Sequence, residues 1–307
     1  MNRKLILYFL VLLSHSIMAQ VCLPGKPYTC KNACSHSVCH TYFPEITLPI
    51  VDNEALKLAD KSTDKTFLYG ATIITRLTLE NSGRWDTLNN GYLLWRLKII
   101  SPTAYGLKLY FDRFRLPYGA ELYIYNDDRS VILGAMTSQN NKQHYKFATQ
   151  PIAGESITLE YIVPKDANSI ISISEVGHAY RDIFNKNHYF DFGSSTCTKN
   201  VNCPEGDDFA NQKRSVVLIS VLQTWDSGEP NYNHRVGWCS GSMVNNTRQD
   251  GIPFLLTAFH CLDTKGTIDD NGDPQSNCNI DADEMVTDQW VFIFNYQSAN
   301  CDNTITQ

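Results

Sequence analysis

The chain has 307 residues, 43% of them hydrophobic and 19% charged, which supplies ordered cores and excludes a disordered polyampholyte. Its 17 glycines and 12 prolines exclude collagen-like or low-complexity architecture, and a formal charge of −6 gives no global attraction to nucleic acid or anionic lipid. Ten cysteines, an even number, invite a disulfide framework and an oxidising compartment.

Residues 1–19 have the three-part layout of a secretory signal peptide. Asn2-Arg3-Lys4 is basic, Leu5 to Leu13 is apolar, and a small polar tail ends in Ala19, where cleavage is expected. Nine apolar residues fall far short of the roughly 20 that span a bilayer, so secretion without a membrane span is expected. Residues 20–66 form a Cys-rich segment holding Cys22, Cys30, Cys34 and Cys39, with His36 and His40 interleaved. Thiolate and imidazole suit zinc, but the spacing matches no standard finger, and export favours oxidation. Two local disulfides and no metal are therefore expected, with the three possible pairings left open.

Residues 67–182 read as strand after strand. Thr72-Ile73-Ile74, Tyr92 to Ile99, Gly106 to Phe111, Glu121 to Tyr125, Ser156 to Ile162 and Ile170 to Ile173 are β-branched or aromatic and partly alternating. Turn signals separate them at Asn89-Asn90-Gly91, Leu116-Pro117-Tyr118-Gly119, Asn126-Asp127-Asp128 and Ala153-Gly154-Glu155. Short strands so spaced, with no long 3.6-residue pattern, predict a mostly β protein with an antiparallel β-sandwich here. His144 and His178 are isolated and read as surface or satisfied structural histidines. The sandwich reads as a folding or binding module and not as a catalyst.

Residues 183–196 end in Gly-Ser-Ser-Thr and read as a linker. Net charge is +3 before residue 197 and −9 from residue 197 onward, which supports a domain boundary near 190. In the C-terminal part, the apolar run Phe254-Leu255-Leu256 leads into Thr257-Ala258-Phe259-His260-Cys261. A general base must be held within hydrogen-bond reach of its nucleophile, so a histidine fixed at a strand end beside a cysteine is a candidate.

Thr257-Ala258-Phe259-His260-Cys261 resembles the Thr-Ala-x-His-Cys signature around the catalytic histidine of trypsin-like serine proteases. More narrowly, the segment resembles the bacterial lysyl endopeptidase group. Cys197-x5-Cys203-Pro204-Glu205-Gly206, Arg214-Ser215-Val216-Val217, Cys239-Ser240-Gly241-Ser242-Met243-Val244-Asn245-Asn246-Thr247 and Trp290 to Tyr296 follow that group in order. The sandwich is similar to the group's pro-region, notably Phe111-Asp112-Arg113-Phe114-Arg115-Leu116-Pro117-Tyr118-Gly119-Ala120. The resemblance implies that 197–307 is the N-terminal part of a trypsin-like antiparallel β-barrel domain. It also implies that His260 is the general base, that Cys239 pairs with Cys261 and Cys203 with Cys301, and that cleavage follows lysine. The substrate is then protein or peptide, with no cofactor, and a monomer is expected. Cys197 lacks its usual partner, and Cys278 is either its substitute or a stray thiol.

Phe259 stands where the group has a small or polar residue, and Phe192, not lysine, precedes Gly193. The nearest lysines, Lys186 and Lys199, make self-processing doubtful. In this fold the triad comes in the order His, Asp, Ser. No Gly-Asp-Ser-Gly or Gly-Ser-Ser-Gly turn follows His260 within the 307 residues. Ser240 and Ser242 sit on a structural strand, and Ser276 and Ser298 lie in polar loops. Asp263, Asp269, Asp270, Asp273, Asp281 and Asp283 are too loosely placed to nominate an orienting carboxylate. The incomplete triad predicts an inactive 307-residue chain, truncated before the Asp and Ser. Residues supplying substrate specificity are unassigned. The acidic stretch 263–288 misses EF-hand spacing and reads as a solvated insertion. Asn245-Asn246-Thr247 fits a glycosylation sequon but lies inside a family motif. The leading expectation is a secreted serine protease zymogen; the rival is a secreted binding or adhesion protein with a protease-derived domain.

Overall fold

Alternating apolar residues produce two sheets packed face to face, followed by strands that extend one of them. The computed structural model describes residues 25–30, 42–60, 67–184, 199–224, 232–258, 261, 286–297 and 300–301. Outside the described residues lie the signal peptide, Cys22, Cys34, Cys39, His36, His40, residues 185–196 of the linker, Cys197, His260, Ser276, Cys278, Ser298 and the acidic stretch to residue 285.

In chain order the first strands are β1 (Glu45–Thr47), β2 (Phe67–Thr78), β3 (Arg84–Thr87), β4 (Tyr92–Ile100), β5 (Gly106–Arg115), β6 (Glu121–Asn126) and β7 (Ile132–Met136). Then come β8 (Phe147–Ala148), β9 (Ile152–Ala153), β10 (Ser156–Pro164), β11 (Ile170–Ala179), β12 (Val216–Thr224), β13 (Tyr232–Val244), β14 (Phe254–Thr257) and β15 (Val291–Phe294). The described helices are α1 (Asn53–Ala59), capped by the Asp52 carboxylate accepting from Ala55 N, and α2 (Ala210–Ser215).

One sheet has the order β1-β4-β10-β6-β7, with β3 also on β4. The other has the order β15-β12-β13-β2-β11-β5-β8, with β14 on β13 and β9 on β5. All pairings are antiparallel except β1 with β4. The predicted strands all fall within these elements, and the chain is mostly β. Strand β1 and helix α1 add ordered structure within the stretch read as Cys-rich. Leu97, Ile99, Ile124, Ile157 and Leu159 from the first sheet meet Ala71, Ile73, Leu107, Leu109, Phe111 and Ile173 from the second. This inter-sheet core explains the alternation. Gly83, at φ +69, turns the chain where a Cβ would run into the Trp95 indole.

Hydrogen bonding joins described strands from either side of residue 190. Strand β13 adds antiparallel to the edge of β2, with Arg235 opposite Ala71, Val236 opposite Gly70 and Trp238 opposite Phe67. The pairing skips Tyr69, whose side chain joins a second core with Tyr110, Ala148, Ala179, Val217, Ile219, Val221, Val236, Cys239, Trp290 and Val291. Strands β12–β15 curl into a half-barrel that shares this core with the sandwich. Ile183, the first residue read as linker, is buried in it.

His178 behaves as the satisfied structural histidine the sequence suggests. It is fully buried; Nε2 donates to Asn53 Oδ1 at 2.9 Å, and Ser101 Oγ donates to Nδ1 at 2.7 Å. Burial disfavours the imidazolium and lowers its pKa from 6.5 to about 4. The folded pKa lies below the unfolded one, so this contribution is whole above pH 6.5 and is lost as pH falls toward 4. At full extent the loss is about 3 kcal/mol. Urea denaturation of His178→Gln between pH 6.5 and 4 is expected to show a shallower acid decline than the parent chain; equal slopes would assign the decline elsewhere.

Candidate functional site

The candidate histidine is bracketed by fixed backbone. Strand β14 pairs with β13, placing Thr257 opposite Gly241, Leu256 opposite Ser242 and Leu255 opposite Met243. Thr257 Oγ1 donates to Ser240 O at 2.8 Å and lies 3.4 Å from Cys261 Sγ, and Cys261 N donates to Ala258 O at 3.1 Å. Cys261 is bridged to Cys239 on β13, with Cα atoms 6.0 Å apart. Position 260 is thus flanked by Ala258 at the strand end and by a cysteine tied to the neighbouring strand. His260 itself lies outside the described residues, so its partners are not part of this geometry.

A second bridge joins Cys203 to Cys301, with Cα atoms 4.4 Å apart. It ties the residue before the 3-10 turn Pro204–Phe209 to the chain beyond β15. Both bridges are the pairs that the resemblance implies. Cys30 forms no disulfide among the described residues. No group of three His, Cys, Asp or Glu capable of holding a metal occurs among the described residues.

The candidate serines are placed by ordinary strand contacts. Ser242 Oγ lies 3.1 Å from Ser215 Oγ, and Ser240 is exposed on β13 with its carbonyl held by Thr257. Neither hydroxyl has an imidazole as hydrogen-bond partner among the described residues. His144 accepts from Lys146 N at 3.1 Å and sits 3.9 Å from Asp288, a surface arrangement.

A denser set of ionisable groups lines the junction of sandwich and half-barrel, and sequence reading gave no hint of it. Asp60 binds Arg181 at 2.7 Å and Arg235 at 3.3 Å, and Tyr180 OH donates to its Oδ2 at 3.0 Å. Glu175 on β11 meets His234 on β13 at 2.8 Å. Deeper still, Lys108 Nζ donates to Ser220 Oγ at 2.7 Å, and Tyr69 OH is 2.8 Å from the same oxygen. Lys108 also lies over the Tyr110 ring, 4.9 Å from its centroid. Such a face returns about 2 kcal/mol to a desolvated cation, against several kcal/mol lost on burying an ammonium. Desolvation wins, and the Lys108 pKa falls from 10.5 to about 7. A serine beside a lysine whose pKa is lowered to about 7 has the elements of a nucleophile and its base. Ser220 is 0% and Lys108 2% exposed, however, so no substrate reaches them. The trio is internal to the fold. Its partners are 112 and 151 residues apart, a separation no local pattern could reveal.

Residues 192–307 match the family model described as Lysyl endopeptidase, C-terminal domain. That stretch is lysyl endopeptidase-like, and it includes β12 to β15, both bridges and position 260. Replacing Cys239 and Cys261 together by serine removes a cross-link spanning 22 residues and is expected to cost about 3 kcal/mol on the chain-entropy model. Urea denaturation of the double variant against the oxidised parent measures this, and an unchanged midpoint would count against the clamp.

Proposed function

We propose that this is the precursor of a secreted serine endopeptidase, with residues 197–307 contributing the first part of a trypsin-like domain. What carries the reading is the lysyl endopeptidase match, together with the pairing of β14 before position 260 and the Cys239–Cys261 bridge after it. His260 would take the proton of the attacking serine hydroxyl and return it to the leaving amine. The strand and the Cys239–Cys261 bridge would keep the imidazole close to one orientation, because misplacement of a base is paid in rate. Cleavage after lysine is the specificity that the family description suggests. Secretion is supported by the basic-apolar-small layout of residues 1–19 and by the two disulfides.

The sandwich of residues 67–182 is proposed as the pro-region, joined to the protease part by residues 183–196. Its similarity to the pro-region of the group and its strand-to-strand contact with β13 support that role. The aspartate that would orient His260 and the nucleophilic serine are not assigned among residues 1–307. With His260 as the one triad member assigned, the polypeptide of residues 1–307 is proposed to be inactive.

A fluorophosphonate probe, which forms a covalent bond only with an activated serine, tests this directly. Residues 1–307 are expected to stay unlabelled. A gene product carrying a downstream Gly-x-Ser-Gly turn should label at that serine and hydrolyse lysyl amides. In it, His260→Ala should lower kcat by at least roughly 10⁴-fold. Labelling of the 307-residue chain, or a full-length product that lacks both serine turn and activity, would favour the rival reading of a non-catalytic binding protein.

A further inference from the structure

Beyond catalysis, the junction between sandwich and half-barrel contains a titratable device, and it stands whether or not the protease reading holds. Lys108 projects from β5 on the face away from the inter-sheet core. Gly177, its opposite number on β11, leaves room there: a Cβ on it would lie 3.3 Å from both the Lys108 Cβ and the Tyr110 ring. The amine is thereby delivered into the core shared with β12 and meets Ser220.

The surroundings of the amine contain few charges. Tyr69 faces it from β2, Tyr110 from its own strand, Ser220 from β12, and the stacked indole of Trp238 lies behind Tyr69 at 4.6 Å. On β11, opposite Tyr110, the Glu175 carboxylate is engaged by His234 of β13. His178, on the same strand, turns to Ser101 and Asn53 instead. The Tyr110 hydroxyl and the Trp238 indole N–H are buried without hydrogen-bond partners among the described residues. Ser220 is the amine's hydrogen-bond partner among them. An ammonium there would leave two N–H donors and a full charge without an acceptor or counter-ion, whereas a neutral amine leaves one weak donor.

We propose that this junction is a proton-sensitive latch: the half-barrel seats on the sandwich with Lys108 as a neutral amine against Ser220, and proton uptake by Lys108 loosens the seat. When the junction opens, the amine meets water and binds a proton that the closed form excludes. The open form therefore carries one more proton over the window from about pH 7 to pH 10, and closure strengthens as pH rises through it. Below that window both forms are protonated and the dependence flattens. The buried tyrosines Tyr69 and Tyr110 are pushed above their usual value of 10.0, so their ionisation in the open form opposes closure only above the window.

The test uses the full chain, labelled with fluorotryptophan, with the Trp238 resonance assigned by its loss in Trp238→Phe. Urea titrations at intervals from pH 7 to pH 10 follow that resonance. The opening constant is expected to fall about tenfold per pH unit in the parent chain, the slope of one proton. Lys108→Met, which keeps the length without the amine, should be flat over the same range and more tightly closed at pH 7. Ser220→Asp, which offers the amine a counter-ion, should also lose the slope, because Lys108 would then stay charged in both states. A flat parent profile, or a Lys108→Met profile as steep as the parent's, overturns the latch. An undiminished slope in Ser220→Asp does so as well.

Discussion

The antiparallel pairing of β13 with the edge of β2 is the contact on which the rest of the C-terminal structure depends. An edge strand carries unpaired N–H and C=O groups, and β2 presents its own to the incoming chain. Once β13 is in place, β12, β14 and β15 follow by strand addition, giving the order β15-β12-β13-β2. The pairing also brings the outer face of the sandwich against the inner face of the half-barrel. Their shared core takes Tyr69, Tyr110 and Ala179 from one side and Val217, Ile219, Val221 and Trp290 from the other. Burying an aromatic side chain of this kind stabilises by about 1.5–3 kcal/mol, so the half-barrel's core is built in part from the sandwich.

Apolar burial alone would tolerate sliding of one sheet portion past the other, and the polar pairs at the junction restrict this. Asp60 sits between Arg181 of the sandwich and Arg235 of β13, while Glu175 meets His234 on the same strand. Buried ion pairs are weak contributors to net stability because desolvation offsets their attraction, yet breaking one strands a charge at a cost of about 3–5 kcal/mol. A shift of β13 by one residue would reverse the faces of Arg235 and His234 and separate both pairs. They therefore act chiefly on register, which the backbone ladder by itself leaves weakly specified.

Legibility in the sequence followed the range of the interaction. Strands β4, β5, β6 and β10 could be read from β-branched and aromatic runs that partly alternate, a local property in which Leu97, Ile99, Leu107, Leu109 and Ile124 face the inter-sheet core. The two bridges were reachable only through resemblance, since spacing does not decide pairing. Strand β1, three residues long and added parallel to β4, lacks enough pattern to announce itself. The junction was illegible for a stronger reason. Lys108 within Gly106-Leu107-Lys108-Leu109-Tyr110 looks like the solvent-facing position of an edge-type strand. Only the arrival of Ser220, 112 residues later, turns that exposed face into an interior. Likewise the charge difference across residue 190 gives no sign that β13 pairs with β2.

Strand β13 also links the junction to the candidate catalytic histidine. Its first half, through Trp238, pairs with β2; its last residues, Gly241 to Val244, pair with β14. Cys239, immediately after the last residue paired to β2, bridges to Cys261, immediately after His260. Trp238 stacks on Tyr69, whose hydroxyl is bound to Ser220, and Ser220 in turn receives the Lys108 amine. Protonation chemistry at Lys108 and the covalent clamp beside position 260 thus act on adjacent residues of a single strand. A strand held on one edge by the sandwich and on the other by β12 has little freedom to shift its bridge. Sandwich docking and the clamp beside position 260 therefore share one strand, β13, which pairs with β2 in its first half, with β14 at its end, and carries Cys239 between them.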